Sequence, residues 1–85
     1  MTTKIDIREW LEQGKKRGAD YLIVVCDTFD WEDYPVFVSA DKVHKSYEHY
    51  NSGSNMQKVM EVYDLHQDFE KQLNETCSMH LPPKR

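Results

Sequence analysis

Residues 19–39 read ADYLIVVCDTFDWEDYPVFVS, and this stretch decides the fold of the chain. A run of strand-forming residues ends at Asp27, and a second apolar run begins at Pro35. The first run is apolar at both alternating sets of positions, which is typical of a strand that is covered on both faces. The stretch therefore predicts two strands joined by a loop of about eight residues, which is longer than a tight hairpin turn.

Hydrophobic periodicity on either side of this stretch predicts the other elements. In chain order the prediction is a helix over about 5–17 ended by Gly18, strand 21–26, strand 35–39, a helix opened by Asp41, strand 59–63, and a helix from Leu65, capped by Asp64, to about Thr76. In the third strand we expect Val59, Glu61 and Tyr63 to point to one face. The chain is thus predicted to be a small α+β domain in the order α-β-β-α-β-α, with a three-stranded sheet packed by helices.

The predicted domain spans residues 1–80, and the proline-containing residues 81–85 are expected to form a flexible tail. The passage from the second strand to the third is long enough for a parallel crossover. Three helices can cover both faces of the sheet, or two can cover one face and leave the other to a second copy. Small domains often gain stability by association, so we expect a homo-oligomer, a dimer or higher.

Composition excludes several classes of protein. The 85 residues carry 15 acidic and 11 basic side chains, which gives a net charge of −4 and argues against general nucleic-acid binding. The chain contains no apolar run long enough to span a membrane, and its first residues lack the apolar core of a signal peptide. We therefore expect a cytoplasmic protein with no membrane association.

The loop between the first two strands is the main candidate for partner binding. It combines carboxylates with aromatic rings, and its candidate contact residues are Asp27, Phe29, Asp30, Trp31, Glu32, Asp33 and Tyr34. Aromatic side chains are favoured anchors at interfaces, and the carboxylates would pair with arginine or lysine of a partner. The alternative is that Phe29 and Tyr34 fold back onto the core while the carboxylates form a solvated turn.

The same residues give little support to catalysis. Asp27 at a strand end could join a Mg²⁺ or Mn²⁺ site of a hydrolase, but Asp41 and Lys42 are adjacent and lack the spacing that such enzymes use. The four histidines do not have the spacing of a zinc site. Nothing near Cys26 in the sequence would lower the pKa of its thiol. We therefore predict no catalytic residues, no metal site and no cofactor.

A second group of residues could bind a small ligand. Lys15, Lys16 and Arg17 form a basic cluster, and Tyr47 and Tyr50 could stack on a purine ring. The cations also suit the end of a helix, and the helical spacing of the tyrosines also suits core packing. A nucleotide ligand, held in a pocket between subunits, therefore stays an open alternative.

The run IVVCDTFDWEDYPVFV, followed by the later segment MEVYDL, resembles small uncharacterised proteins of bacteriophages and prophages. The resemblance extends from about Trp10 to Leu73 and carries no functional residues with it. It implies a bacterial host cytoplasm, and small acidic phage proteins are often accessory factors that inhibit a host or defence protein or sequester a nucleotide signal.

Three functional hypotheses follow from these observations. The first is a non-enzymatic phage accessory protein of anti-defence type, which inhibits a bacterial defence or host factor by direct protein binding through the acidic-aromatic loop. The second is an oligomeric small-molecule binder that sequesters a nucleotide signal. The third is a metal-dependent hydrolase that uses Asp27 and its neighbours.

Overall fold

A computed structural model describes residues 4–51, 56–74 and 79–80. Its elements are α1 (Lys4–Lys16), β1 (Tyr21–Asp27), β2 (Glu32–Val38), α2 (Val43–Asn51), β3 (Gln57–Asp64) and α3 (Phe69–Leu73). The predicted α+β class and the order α-β-β-α-β-α are confirmed. The predicted tail, 81–85, lies outside the described residues, and no helix within them is both long and apolar enough to cross a membrane.

The sheet has the strand order β2-β1-β3, with β1 antiparallel to both neighbours. The third strand therefore pairs with the first and not with the second. Strands β2 and β3 run in the same direction on opposite sides of β1, and α2 lies on the passage between them. Beyond β3, the backbone N–H of His80 donates to the carbonyl of Val62 at 3.0 Å, which places residues 79–80 along the outer edge of that strand.

Each face of the sheet has its own hydrophobic cluster. On one face, α1 and α3 pack over β1 residues such as Leu22 and Val24. On the other face, α2 packs over the alternate β1 residues, which include Ile23 and Val25. This arrangement explains why β1 is apolar at every position from Tyr21 to Cys26, since helices of the same chain cover both faces. The homo-oligomer stays a prediction.

Strand β2 begins earlier than its hydrophobic pattern predicts. The register pairs Asp27 with Glu32 and Cys26 with Asp33, so β2 starts at Glu32 and the connecting loop is residues 28–31. The predicted start at Pro35 is wrong because backbone pairing continues through polar residues where an edge strand is partly exposed. Pro35 instead lies within the edge strand, a position that tolerates proline.

A β-bulge changes the faces of β3. The register passes from Glu61, opposite Val24, to Val59, opposite the next β1 residue, so Met60 is the extra residue of the bulge. Val59 consequently packs on the α2 face, whereas Tyr63 packs on the α1 face. The prediction that these two side chains share a face is wrong because simple alternation does not continue through a bulge.

The structure explains why glycine is present at two positions in and after α1. A Cβ atom added at Gly14 would lie 2.8 Å from Cδ1 of Leu65 and 2.9 Å from Cδ1 of Phe37, so the helix approaches the sheet closely at this point. Gly18 has φ 75°, in the left-handed region that glycine adopts without strain, and it follows the end of α1 as predicted.

The helices α2 and α3 begin later than predicted, at Val43 and Phe69. Asp41 lies in the turn before α2, where its carboxylate accepts a hydrogen bond from the hydroxyl of Ser39. The N-cap of α3 is Asp68, whose carboxylate accepts a hydrogen bond from the N–H of Glu70 at 2.9 Å. Asp64 does not cap α3, because it ends β3 instead. The predicted helix end near Thr76 lies outside the described residues.

Hydrogen bonds tie together the end of the sheet where β1 starts and β3 ends. We call the residues Asp20, Asp64, His66, Asp68 and Gln72 the polar clamp. The side chain of Gln72, only 1% exposed, accepts from the N–H of Asp64 at 2.8 Å and donates to its carbonyl at 2.9 Å. His66 Nε2 lies 2.7 Å from Oδ1 of Asp20. The clamp therefore joins β3, α3 and the segment that precedes β1.

Candidate functional site

The loop that joins β1 to β2 is organised by Asp27. Its carboxylate Oδ1 accepts a hydrogen bond from the N–H of Phe29 at 2.8 Å, which forms a local turn. Its backbone carbonyl accepts a second bond from the N–H of Trp31 at 2.6 Å. Asp27 is thus a structural residue of the turn, and its two bonds set the positions from which Phe29 and Trp31 project.

The start of β3 lies against this loop. The N–H of Thr28 donates to the carbonyl of Met56 at 2.8 Å, and Gln57 is opposite Asp27 in the register. The side-chain amide of Gln57 donates a hydrogen bond to the hydroxyl of Tyr34. Residues that are far apart in sequence therefore meet at one end of the sheet.

Three large apolar side chains are exposed at this end. Phe29 is 72% exposed, Trp31 is 67% exposed and Met56 is 53% exposed. We call these three residues the apolar tip. Scattered apolar residues on a surface need no explanation, but a group of them beside polar residues is typical of an interaction site.

Two members of the apolar tip also have unfavourable backbone conformations. Trp31 has φ 57° and Met56 has φ 56°, and among the described residues no other non-glycine residue has a positive φ. The left-handed region costs a residue with a Cβ roughly 1–2 kcal/mol. Neither side chain offsets this cost by deep burial, so both residues are poor choices for stability alone.

The charges around the apolar tip are mainly negative. Asp30 and Glu32 flank Trp31 and are exposed, whereas Asp33 is half-buried. The cation near them is Lys58, whose Nζ lies 5.5 Å from the centroid of the Trp31 ring. This end of the sheet therefore presents aromatic surface within an acidic surrounding.

Half-buried Asp33 also affects the neighbouring thiol. It is opposite Cys26 in the register, and Cys26 is buried and not in a disulfide. Burial raises the pKa of the Cys26 thiol, and hydrogen bonding with Asp33 raises it further. The thiol is therefore held in its protonated form, which is the poor nucleophile.

The structure separates the predicted contact residues into two groups. Phe29, Asp30, Trp31 and Glu32 are exposed. Asp27, Asp33 and Tyr34 are half-buried, and Tyr34 packs against the cluster under α2. Tyr34 thus folds back onto the core, as the alternative interpretation of this residue predicts. Sequence reasoning missed Met56 and Lys58, since only the pairing of β3 with β1 brings them to this end. Their exposed positions beside a strand start carry no signal that is visible in the sequence.

The predicted small-ligand residues lie on opposite faces of the sheet. The guanidinium of Arg17 is 4.9 Å from the ring centroid of Phe37, which packs on the α1 face. Tyr47 and Tyr50 pack on the α2 face. Within one chain these cations and tyrosines do not form a shared pocket, and a site that combines them between subunits stays a prediction.

A surface depression of about 250 Å³ lies near the polar clamp. Its lining is Lys15, Gly18, Ala19, Leu65, His66 and Gln67. Lys15 belongs to the predicted ligand set, whereas Lys16, Arg17 and both tyrosines do not line the depression. Pockets for drug-sized ligands are typically about 300–1,000 Å³, so this depression is small for a nucleotide.

The described residues contain no group of three or more His, Cys, Asp or Glu side chains that could hold a metal ion. The acidic residues of the loop therefore do not form such a group. No protein-family model, curated protein or solved structure matches this chain.

Proposed function

We propose that this chain is a non-enzymatic binding protein whose apolar tip contacts a partner protein. The observation that carries the proposal is the coincidence of exposure and backbone cost at Trp31 and Met56. Strained residues are often found at functional sites, where the strain is retained for a purpose other than stability. Burial against a partner gives these side chains such a purpose.

The chemistry of the tip favours a partner with a basic surface. Trp31 and Phe29 would be buried against the partner's surface, because aromatic rings bury a large area and freeze few torsions. Asp30 and Glu32 would pair with arginine or lysine at the rim of the contact. The net charge of −4 adds long-range attraction to such a surface.

The resemblance to phage and prophage proteins supplies the biological setting of the proposal. In that setting the partner is a bacterial host or defence factor, and binding inhibits it by occupying its surface. A turn that is held by two hydrogen bonds to Asp27 and projects two aromatic rings suits this role, since fewer groups have to be ordered when the complex forms.

Affinity capture from a bacterial lysate, followed by measurement of the affinity for the captured protein, tests the proposal. Trp31→Ala should weaken binding by ~2 kcal/mol or more, which is about thirtyfold, if Trp31 is an anchor. Phe29→Ala should also weaken binding. Ile5→Ala is the matched control, because Ile5 is equally exposed, at 71%, but lies on α1.

A captured protein counts as support only if its affinity falls in the Trp31→Ala variant and is retained in the Ile5→Ala variant. Equal affinities for all the variants would show that the tip is not the contact. Circular dichroism of each variant verifies that the fold is intact, which is expected because the substituted side chains are exposed.

A further inference from the structure

We infer that the Trp31 ring is the binding site for a cationic side chain of the partner, with arginine preferred, and that Lys58 occupies this site in the unbound protein. The inference rests on the proposed function and deepens it, because it names the chemistry that the tip recognises. It starts from the position of the Lys58 Nζ atom, 5.5 Å from the ring centroid of Trp31.

Trp31 differs from the other rings that carry a cation. Lys15 lies over Phe69 and Arg17 lies over Phe37, but both phenylalanine rings are half-buried and pack on the α1 face. The ring of Trp31 is exposed, so a group from outside the chain can reach it. Tryptophan also gives the strongest attraction to cations among the aromatic side chains.

The charge around the ring selects a cation rather than an anion. Residues 27–34 and 56–60 together contain four carboxylates and one basic residue, Lys58. Asp30 and Glu32, the direct neighbours of Trp31 in sequence, are exposed and would attract an incoming cation once Lys58 moves aside. A phosphate or an acidic peptide would be repelled by the same carboxylates.

Arginine fits this arrangement better than lysine. A guanidinium stacks flat on an aromatic ring, is less strongly hydrated than an ammonium, and donates two parallel hydrogen bonds to a carboxylate. It can therefore contact the Trp31 ring and a neighbouring carboxylate together. Lys58 offers only a single ammonium group to the ring, so an arginine of the partner is able to displace it.

The test is an NMR titration of the folded protein with N-acetyl-arginine amide, following the indole N–H signal that is absent in Trp31→Phe. N-acetyl-citrulline amide is the matched probe, because citrulline keeps the shape of arginine without its charge. We expect saturable binding of the arginine probe and none of the citrulline probe. Lys58→Gln should bind the arginine probe about twofold to fivefold more tightly, because the competing cation is removed.

Two control variants separate occupancy of the ring from overall charge. Lys45→Gln removes the same charge from an exposed position of α2 and should show a smaller gain. Lys58→Arg keeps a cation over the ring and should show no gain. Equal binding of both probes, or equal gains in Lys58→Gln and Lys45→Gln, would overturn the inference. Indole shifts that depend on protein concentration alone would assign the ring to a second copy of the chain and would also overturn it.

The outcomes distinguish this inference from the proposed function. If a captured partner needs Trp31 but binds Lys58→Gln no more tightly than Lys45→Gln, the tip binds a protein without cation recognition, and the inference is wrong. If the arginine probe binds as expected but Trp31→Ala leaves partner affinity unchanged, the cation site stands and the proposed protein contact is wrong.

Discussion

The two ends of the sheet use their polar and apolar residues in opposite ways. At the polar clamp, a buried glutamine satisfies backbone groups of Asp64, and the side chains of Asp20 and His66 hydrogen-bond across elements. At the apolar tip, large hydrophobic side chains are exposed and two of them adopt left-handed backbone conformations. One end places a polar residue inside, while the other places apolar residues outside.

This difference indicates which residues stabilise the fold and which are available for binding. A buried amide with several partners is costly to replace, because its loss leaves donors and acceptors without hydrogen bonds. An exposed ring in a strained position costs stability in the isolated chain. Substitutions at the polar clamp should therefore change mainly stability, whereas substitutions at the apolar tip should change mainly binding.

The largest stability effect is expected at the clamp. Gln72→Leu keeps the approximate size of the side chain but removes its hydrogen bonds to the N–H and the carbonyl of Asp64. We expect the free energy of unfolding, measured by urea denaturation, to fall by about 2–3 kcal/mol. Lys71→Leu at the adjacent exposed position of α3 is the control and should change stability little.

If the free energy of unfolding falls no more in Gln72→Leu than in Lys71→Leu, the buried amide of Gln72 adds no net stability. The polar clamp would then not stabilise the fold, and the proposed contrast between the two ends of the sheet would be wrong. Partner binding supplies a second check, since Gln72→Leu should retain the affinity of the unaltered protein under conditions in which it is folded.

The part of the fold that could be predicted from sequence is the part with a strong hydrophobic pattern. The strand at Tyr21–Asp27 is apolar on both faces, and the structure covers both faces with helices. The start of β2 and the bulge at Met60 could not be predicted, because backbone pairing determines both features and the hydrophobic pattern of the sequence does not reveal that pairing. The prediction that Asp64 caps α3 is wrong because Asp68 is an equally acceptable cap residue and lies directly before the helix.

The candidate site was predicted only along one segment of the chain. Phe29 and Trp31 could be proposed because they lie together between two strands. Met56 and Lys58 come from β3, and the β1–β3 register that brings them to the loop is a long-range property. The inward packing of Tyr34 likewise depends on β2 extending back to Glu32, because Tyr34 then alternates onto the same face as Val36 and Val38.

A second, smaller effect should reveal the backbone strain at the tip. At position 31 we expect Trp31→Gly to be more stable than Trp31→Ala by about 1 kcal/mol, because φ is 57° and glycine adopts this region freely. Both variants should lose affinity for the partner. Urea denaturation of the two variants gives the difference directly, without reference to the tryptophan side chain.

Position 29 supplies the matched comparison for this effect. Phe29 is equally exposed, but it is not among the residues with positive φ. Phe29→Gly should therefore be no more stable than Phe29→Ala, since glycine is more flexible in the unfolded chain. If glycine and alanine rank in the same order at both positions, the strain at Trp31 has no energetic consequence.

The smallest effect concerns the pH dependence of the clamp. The hydrogen bond from His66, and then the bond from the N–H of Ala40, hold the pKa of the Asp20 carboxyl below its usual value. A carboxyl whose pKa is lower in the folded state stabilises the fold, and this contribution is fully present above the pKa of the unfolded state, which is about 3.9. The contribution is lost as the pH falls through the pKa of the folded state. Asp20→Asn should therefore be less stable than the unaltered protein near neutral pH, and the difference should shrink below about pH 4.

Urea denaturation of both proteins across this pH range measures that difference. The carboxyl of Glu70, whose pKa is lowered by Arg8, is present in both proteins, so its contribution cancels in the comparison. His66→Ala should reduce the same acid-sensitive contribution in part, because the bond from Ala40 remains. If the free energies of unfolding of Asp20→Asn and of the unaltered protein differ by the same amount at every pH, protonation of Asp20 has no effect on stability. The clamp would then rest on the uncharged hydrogen bonds of Gln72, and the contrast with the tip would be one of burial rather than of charge.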